Sequence, residues 1–143
     1  MPSVDRNIWI DAPAEKVFRF VADYRNTTRY QRHFSRFQPV DSQAWGLGMT
    51  VDARGRFRGL PVHARLTITE FVENRRISSR SVAGLKSSAQ WSFADEDGGT
   101  RVRFVASYDW PVPVLSGAMR RTIERSIVAM TESSLRELKR LLE

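Results

Sequence analysis

The chain has 143 residues, 41% of them apolar and 27% charged, which suits one folded domain, residues 1–143, with a single sizeable core. It has no cysteine, so disulfides, thiol catalysis and thiolate metal sites are excluded, and no apolar run of about 18 residues long enough for a membrane-spanning helix. The formal net charge is +7, and all but Lys16, Lys86 and Lys139 of the 23 basic residues are arginine, a balance that can attract nucleic acid, anionic lipid or an acidic ligand, or can equally reflect a genome that favours arginine codons.

The opening Met1-Pro2-Ser3-Val4-Asp5-Arg6 carries no basic-then-apolar leader, and with the absence of cysteine this leads us to expect a cytoplasmic protein. A first strand is predicted over Val4–Asp11, with Ile8 and Ile10 on one face. Asp11-Ala12-Pro13 then turns the chain into a helix capped near Asp11 or Ala12, whose apolar face is Ala14, Val17, Phe18 and Val21. Glu15 and Arg19 form a favourable i, i+4 pair on its other side. A second short helix is expected over Arg25–Arg32. From there the period becomes two, and strands are predicted at Phe34–Val40, Met49–Arg58, Pro61–Val72, Arg76–Val82, Ser87–Phe93 and Thr100–Trp110. Turn signals separate them at Gly46-Leu47-Gly48, Gly59, Glu73-Asn74, Gly84 and Asp95-Glu96-Asp97-Gly98-Gly99. The alternations Met49/Val51/Ala53/Gly55/Phe57 and Val102/Phe104/Ala106/Tyr108/Trp110 each give one buried and one wet face, as in an antiparallel sheet covered on one side. Pro111 and Pro113 end the last strand, and a helix of roughly 40 Å follows over Val114–Leu142. Its stripe, Met119, Ile123, Ile127, Met130, Ser134, Leu138 and Leu141, needs an apolar sheet to lie on.

Three segments carry a family resemblance. Ile10-Asp11-Ala12-Pro13-Ala14-Glu15-Lys16-Val17-Phe18 resembles the strand-to-helix opening of the polyketide cyclase/dehydrase and lipid-transport family, within the START-like (SRPBCC), pollen-allergen-like helix-grip superfamily. Trp91-Ser92-Phe93 with Gly98-Gly99-Thr100-Arg101-Val102 resembles its last hairpin, and Leu135-Arg136-Glu137-Leu138-Lys139 the end of its long helix. The resemblance spans nearly the whole chain. It implies an α+β helix-grip fold: a seven-stranded curved antiparallel sheet, two short helices after strand 1, and a long C-terminal helix over a cavity. It does not fix the function, since relatives include lipid carriers, aromatic cyclases and receptors, and no universal catalytic residue carries over.

The expected cavity lining is Phe57, Trp91, Phe93, Phe104, Tyr108, Met119, Ile123, Ile127 and Met130, an apolar and adaptable set. Ser79, Ser81, Gln90, Tyr108 and Thr122 are candidates to orient a guest. The leading expectation is binding or transport of a hydrophobic small molecule, such as a lipid, isoprenoid or polyketide-like aromatic. A cyclase or dehydratase using the same pocket is the alternative, with His33, Glu70 and Tyr108 as its candidate acids and bases. A protein-interaction module acting through the basic surface is the third. His63 is expected to face solvent. No triad elbow, dinucleotide fingerprint, phosphate loop or metal-ligand spacing occurs, so no cofactor or metal is expected. Arg25, Arg29, Arg32 and Arg36 would share one helix face if the second helix ran that far, a surface for an anionic head group or an anionic membrane. Arg54, Arg56 and Arg58 alternate on the outer sheet face without aromatic neighbours, so no nucleic acid partner is expected. Monomer and dimer are both open.

Overall fold

The computed structural model describes residues 2–40, 46–110 and 113–143. Strand β1 (Ser3–Ile10) leads into helices α1 (Ala14–Ala22) and α2 (Tyr24–Tyr30). Strands β2 (Phe34–Pro39), β3 (Thr50–Phe57), β4 (Leu60–Val72), β5 (Arg76–Gly84), β6 (Ser87–Glu96) and β7 (Gly99–Tyr108) follow, and helix α3 (Gly117–Leu142) closes the chain. All seven strands lie in one sheet in the order β1-β7-β6-β5-β4-β3-β2, every neighbour antiparallel. This is the α+β helix-grip arrangement: a curled sheet holding one long helix, with two short helices after the first strand.

Local chemistry sets the element ends. Helix α1 starts from Pro13, which offers no side-chain cap, so the cap lies just after the expected Asp11 or Ala12; Val17, Phe18 and Val21 turn inward and Arg19 pairs with Glu15 at 2.6 Å. Helix α2 is capped by Asp23, whose carboxylate accepts from the Arg25 backbone at 3.0 Å and from its guanidinium at 2.9 and 2.8 Å. It ends at Tyr30, so the arginine face expected over Arg25–Arg36 does not form. Arg25 is held by Asp23, Arg29 lies 5.2 Å from the Phe20 ring, Arg32 reaches Glu137 at 3.9 Å, and Arg36 sits in β2 beside Asp52 at 3.4 Å. Helix α3 begins three residues later than expected, where Ser116 accepts the Met119 amide at 3.1 Å. Pro111 lies outside the described residues.

Two-residue turns join β3 to β4 and β6 to β7. Arg58 (φ 51°) and Gly59 (φ 84°), and Asp97 (φ 49°) and Gly98 (φ 78°), adopt the left-handed pair that matches strand twist. The second turn is shorter than the expected Asp95–Gly99, because β6 pairs through to Glu96. The first removes Arg58 from the outer face, and its guanidinium instead donates to Ser126 Oγ of α3 at 3.0 Å. Bulges between Arg65 and Leu66, and between Ile68 and Glu70, bend β4 around the helix.

The groove between sheet and α3 is packed solid at the end where α3 finishes. Ile10, Val17, Val102 and Leu138 are sealed, and Phe18 meets Phe71 and Phe93 edge-on at 5.3 and 5.5 Å. Each such side chain stabilises the fold by about 1.5–3 kcal/mol through burial. Polar groups close the same end: Thr100 Oγ1 donates to the Ala12 carbonyl at 2.7 Å, and Lys139 Nζ to the Trp9 carbonyl at 2.8 Å. The buried face of α3 is wider than the expected stripe and adds Thr131, Leu135 and Leu142; Thr131 tolerates burial because its hydroxyl bonds the Ile127 carbonyl at 2.9 Å.

Candidate functional site

Along the inner face of β6, side-chain size falls toward the other end of the groove, running Phe93, Trp91, Ala89, Ser87. Strand β3 runs the opposite way and brings Ala53 and Gly55 into the same space, with Phe57 closing its end. Ala64 and Ser79 continue the set of small residues across β4 and β5. Small side chains under a helix that spans the whole groove leave space, and a cavity of about 150 Å3 opens there. Its ceiling is Ile127 and Met130 of α3, and its floor is the small residues of β3 to β6. Partly exposed Phe34, Phe37 and Leu85 stand at its rim, with the His33 and Phe34 rings 4.3 Å apart and Phe34 and Phe37 5.4 Å apart. Gly55 is obligatory here, since a Cβ on it would lie 2.3 Å from the His33 carbonyl oxygen as β2 crosses β3.

Of the nine expected lining residues, Phe57, Trp91, Phe104, Tyr108, Ile127 and Met130 come together around this space. Phe93 lies deeper, against Phe18, while Ile123 is sealed in the core and Met119 half-buried beside it. Trp91 marks the boundary between filled and hollow groove, with its ring 4.6 Å from Phe104 and 6.0 Å from Tyr30.

Beyond its serines and Arg56, the cavity wall carries three polar side chains: Gln31, His33 and Tyr108, which also border a small adjoining void. Among the described residues none hydrogen-bonds the Tyr108 hydroxyl or the His33 ring. Burial alone pushes Tyr108 up to about 12 and His33 down to about 4, so both are neutral at physiological pH. A neutral imidazole, a phenol and an amide offer donors and acceptors without charge.

The other candidates lie elsewhere. Glu70 is on the outer face of the sheet, accepting from Ser78 at 2.8 Å and Gln90 at 3.4 Å and pairing with Arg76 at 3.4 Å. His63 is also outside, as expected, 2.6 Å from Asp52. Hydrogen bonds from His63 first, then from Arg54, hold the Asp52 carboxyl below its usual range against the opposing effect of burial. Of the groups expected to orient a guest, Ser79 lines the cavity. Ser81 instead accepts the Ser87 amide at 2.9 Å, Gln90 joins Glu70 outside, and exposed Thr122 bonds back to Ala118 at 3.0 Å. Gln31 was not foreseen on the wall, and of the wall's small residues Ser79 alone was foreseen. The signal for these small residues was present as Ala53, Gly55, Ala64, Ser79 and Ala89 at core-facing positions of alternating strands. Among the described residues no three His, Asp or Glu side chains gather as a metal site, and no helix is long and apolar enough to cross a membrane.

The model of a family described as polyketide cyclase/dehydrase and lipid transport matches residues 1–143. No curated protein matches the chain by sequence. Among solved structures, the TTHA0849 protein of Thermus thermophilus superposes with a TM-score of 0.85 at 23% identity, over 99% of this chain and 97% of that one. A START superfamily protein of Mycobacterium smegmatis does so at 0.76 and 14%, over 99% and 97%. The di-domain aromatase/cyclase BexL of the BE-7585A biosynthetic pathway does so at 0.70 and 21%, over 98% of this chain and 46% of that one. At these identities the likeness establishes the shared fold.

Proposed function

We propose, from the premise that the chain belongs to the polyketide cyclase/dehydrase and lipid-transport family, that it binds an uncharged, compact apolar molecule in the cavity under α3. That family is associated with hydrophobic ligand binding and with cyclisation. The observation that carries the reading is the cavity itself, an apolar space of about 150 Å3 whose wall includes Gln31, His33 and Tyr108, with no hydrogen-bond partner for the His33 ring or the Tyr108 hydroxyl among the described residues. An apolar cavity of that size encloses about one aromatic ring, and a second fused ring would lie against Phe34, Phe37 and Leu85 at the open rim. A two-chain lipid is far larger, so a small aromatic or short isoprenoid fits better. Apolar burial, at about 25 cal/mol per Å2, supplies most of the affinity, and a hydroxyl or carbonyl facing Tyr108, His33 or Gln31 orients the guest. A carboxylate inside the cavity would meet a neutral His33 and Tyr108, while Arg56 is exposed and donates to the Gly59 carbonyl at 2.9 Å, so the carboxylate's lost hydration would be poorly compensated.

Binding is favoured over catalysis by the same groups. The titratable side chains on the wall are His33, Tyr108 and Arg56, and the first two are displaced away from neutrality, where a general acid or base works best. Calorimetric titration with 2-naphthol, and with 2-naphthoate as the charged counterpart, tests the reading. We expect one 2-naphthol per chain and at least about tenfold weaker binding of the naphthoate. Absence of 2-naphthol binding, or preference for the anion, would overturn it.

A further inference from the structure

The strand register brings four segments to one end of the molecule. Phe57 pairs with Leu60 across the β3–β4 turn, Ala64 with Gly84 at the end of β5, and Ser87 with Tyr108 where β6 begins and β7 stops. Helix α3 then starts beside them, with the Asp109 amide donating to the Lys86 carbonyl at 2.8 Å, Arg120 lying 5.4 Å from the Trp110 ring, and Arg58 on Ser126. At this end Arg56, Arg58, Lys86, Arg120, Arg121 and Arg125 make no ion pair among the described residues. The carboxylates near them are Asp109, Glu124 and, in the same surface hollow as Arg121 and Arg125, Glu132, which pairs with Arg6. The first turn of α3 carries no acid, so Arg120 and Arg121 add to the positive end of the helix dipole instead of offsetting it. Leu115, 87% exposed just before that helix, and Leu60, 49% exposed on the β3–β4 hairpin, project from the same end.

The opposite end has the reverse character. Exposed Asp11, Glu15, Glu73, Asp95 and Asp97 cluster around the β4–β5 and β6–β7 turns and the start of α1, and the cations there are largely engaged: Arg19 by Glu15, Arg101 by Glu96 and Lys139 by Glu143.

We infer that the Arg56–Leu60, Lys86 and Leu115–Arg125 end docks on an anionic lipid bilayer. Cations without a carboxylate partner meet the phosphates while Leu115 and Leu60 enter the interface, and the acidic far end points the molecule away from the surface. A nucleic acid satisfies the arginines but gives two projecting leucines no apolar medium; a bilayer satisfies both. The surface adjoins the cavity, since Arg56, Phe57, Leu85 and Ser87 line it. The inference does not depend on the cavity being occupied.

Cosedimentation of the full chain with vesicles of phosphatidylcholine alone, and of phosphatidylcholine mixed with phosphatidylglycerol, tests this at low and high salt. We expect at least about tenfold tighter binding to the anionic vesicles, lost in high salt. Each arginine contributes about fivefold near an anionic surface, so Arg120→Gln with Arg121→Gln weakens binding about 25-fold. Leu115→Ser weakens it several-fold, while Arg101→Gln, on the outer sheet face, leaves it unchanged. Circular dichroism and 2-naphthol titration of each variant separate loss of docking from loss of fold or cavity. Equal binding to both vesicle types, binding to neither, or indifference to Leu115→Ser together with tight, salt-sensitive RNA binding would overturn the inference.

Discussion

The two halves of the groove beneath α3 are built from the same sheet and the same helix, yet one is solid and the other hollow. In the solid half Phe18, Phe93, Val102 and Leu138 interlock; in the hollow half Ala53, Gly55, Ala64, Ser79 and Ala89 form a floor too low to reach the helix. The backbone hardly distinguishes them. What does is side-chain volume at inward positions, and protein interiors leave space unfilled only where something else occupies it or where stability is given up. On the proposed reading, the hollow half is the part of the fold given over to binding.

The largest expected effect belongs to the solid half. Phe93→Ala empties a site sealed by Phe18 and costs about 3–5 kcal/mol in urea unfolding, while the same assay on a hollow-half residue gives far less. A cost below about 1 kcal/mol would erase the distinction between the halves.

Acid comes next. The folded-state pKa of His33, about 4, lies below the ordinary 6.5, so the unfolded chain takes up the proton first. Stability from the neutral ring is complete above about pH 6.5 and is lost as pH falls toward 4, with an upper limit of about 3 kcal/mol. Asp5, Asp23 and Asp52, held below their ordinary 3.8 by Arg103, Arg25 and His63 respectively, lose their contributions in a separate, lower window. Unfolding free energies across this range should slope between pH 6.5 and 4, and His33→Gln should flatten that slope; an unchanged slope would place the ring in water.

Filling the hollow half is the sharper test of its purpose. Ala89→Leu adds three carbons to the cavity wall. The gain of about 0.8 kcal/mol per buried methylene is offset by rotamer strain, so stability moves by less than about 1.5 kcal/mol. Binding of 2-naphthol should fall at least about tenfold. The smallest effect is at Tyr108→Phe: its hydroxyl has no protein partner among the described residues, so thermal stability changes by less than about 0.5 kcal/mol. Affinity for 2-naphthol falls by about two- to tenfold, one hydrogen bond's worth, and stays put if the ligand's hydroxyl turns elsewhere.

Much of this architecture was legible in the chain. Period-two runs placed all the strands, and the 3.6-residue stripe placed α3, because burial on one face imposes those periods directly. Ends were less legible. The Asp97-Gly98 turn looked longer because Asp95 and Glu96 are polar, yet they pair as strand. The arginine spacing from Arg25 to Arg36 imitated a helix face, but the Asp23 cap and the Tyr30 terminus are three-dimensional facts. At the site, large apolar residues were the visible signal and gave Trp91, Phe104, Tyr108, Ile127 and Met130 as wall. The space itself is defined by alanines, a serine and a glycine, which carry no hydrophobic signal and look like filler in one dimension. Glu70 was misleading because a bulge beside it decides which face it joins.

The most direct measurement uses the methionine methyl groups, which sample both halves. With 13C-methyl methionine, Met130 reports on the cavity ceiling, while buried Met49 and half-buried Met119 lie outside the lining. On titration with 2-naphthol the account predicts a saturable shift of the Met130 resonance at one equivalent, with Met49 and Met119 unmoved. A stationary Met130, or shifts confined to the other two, would contradict it.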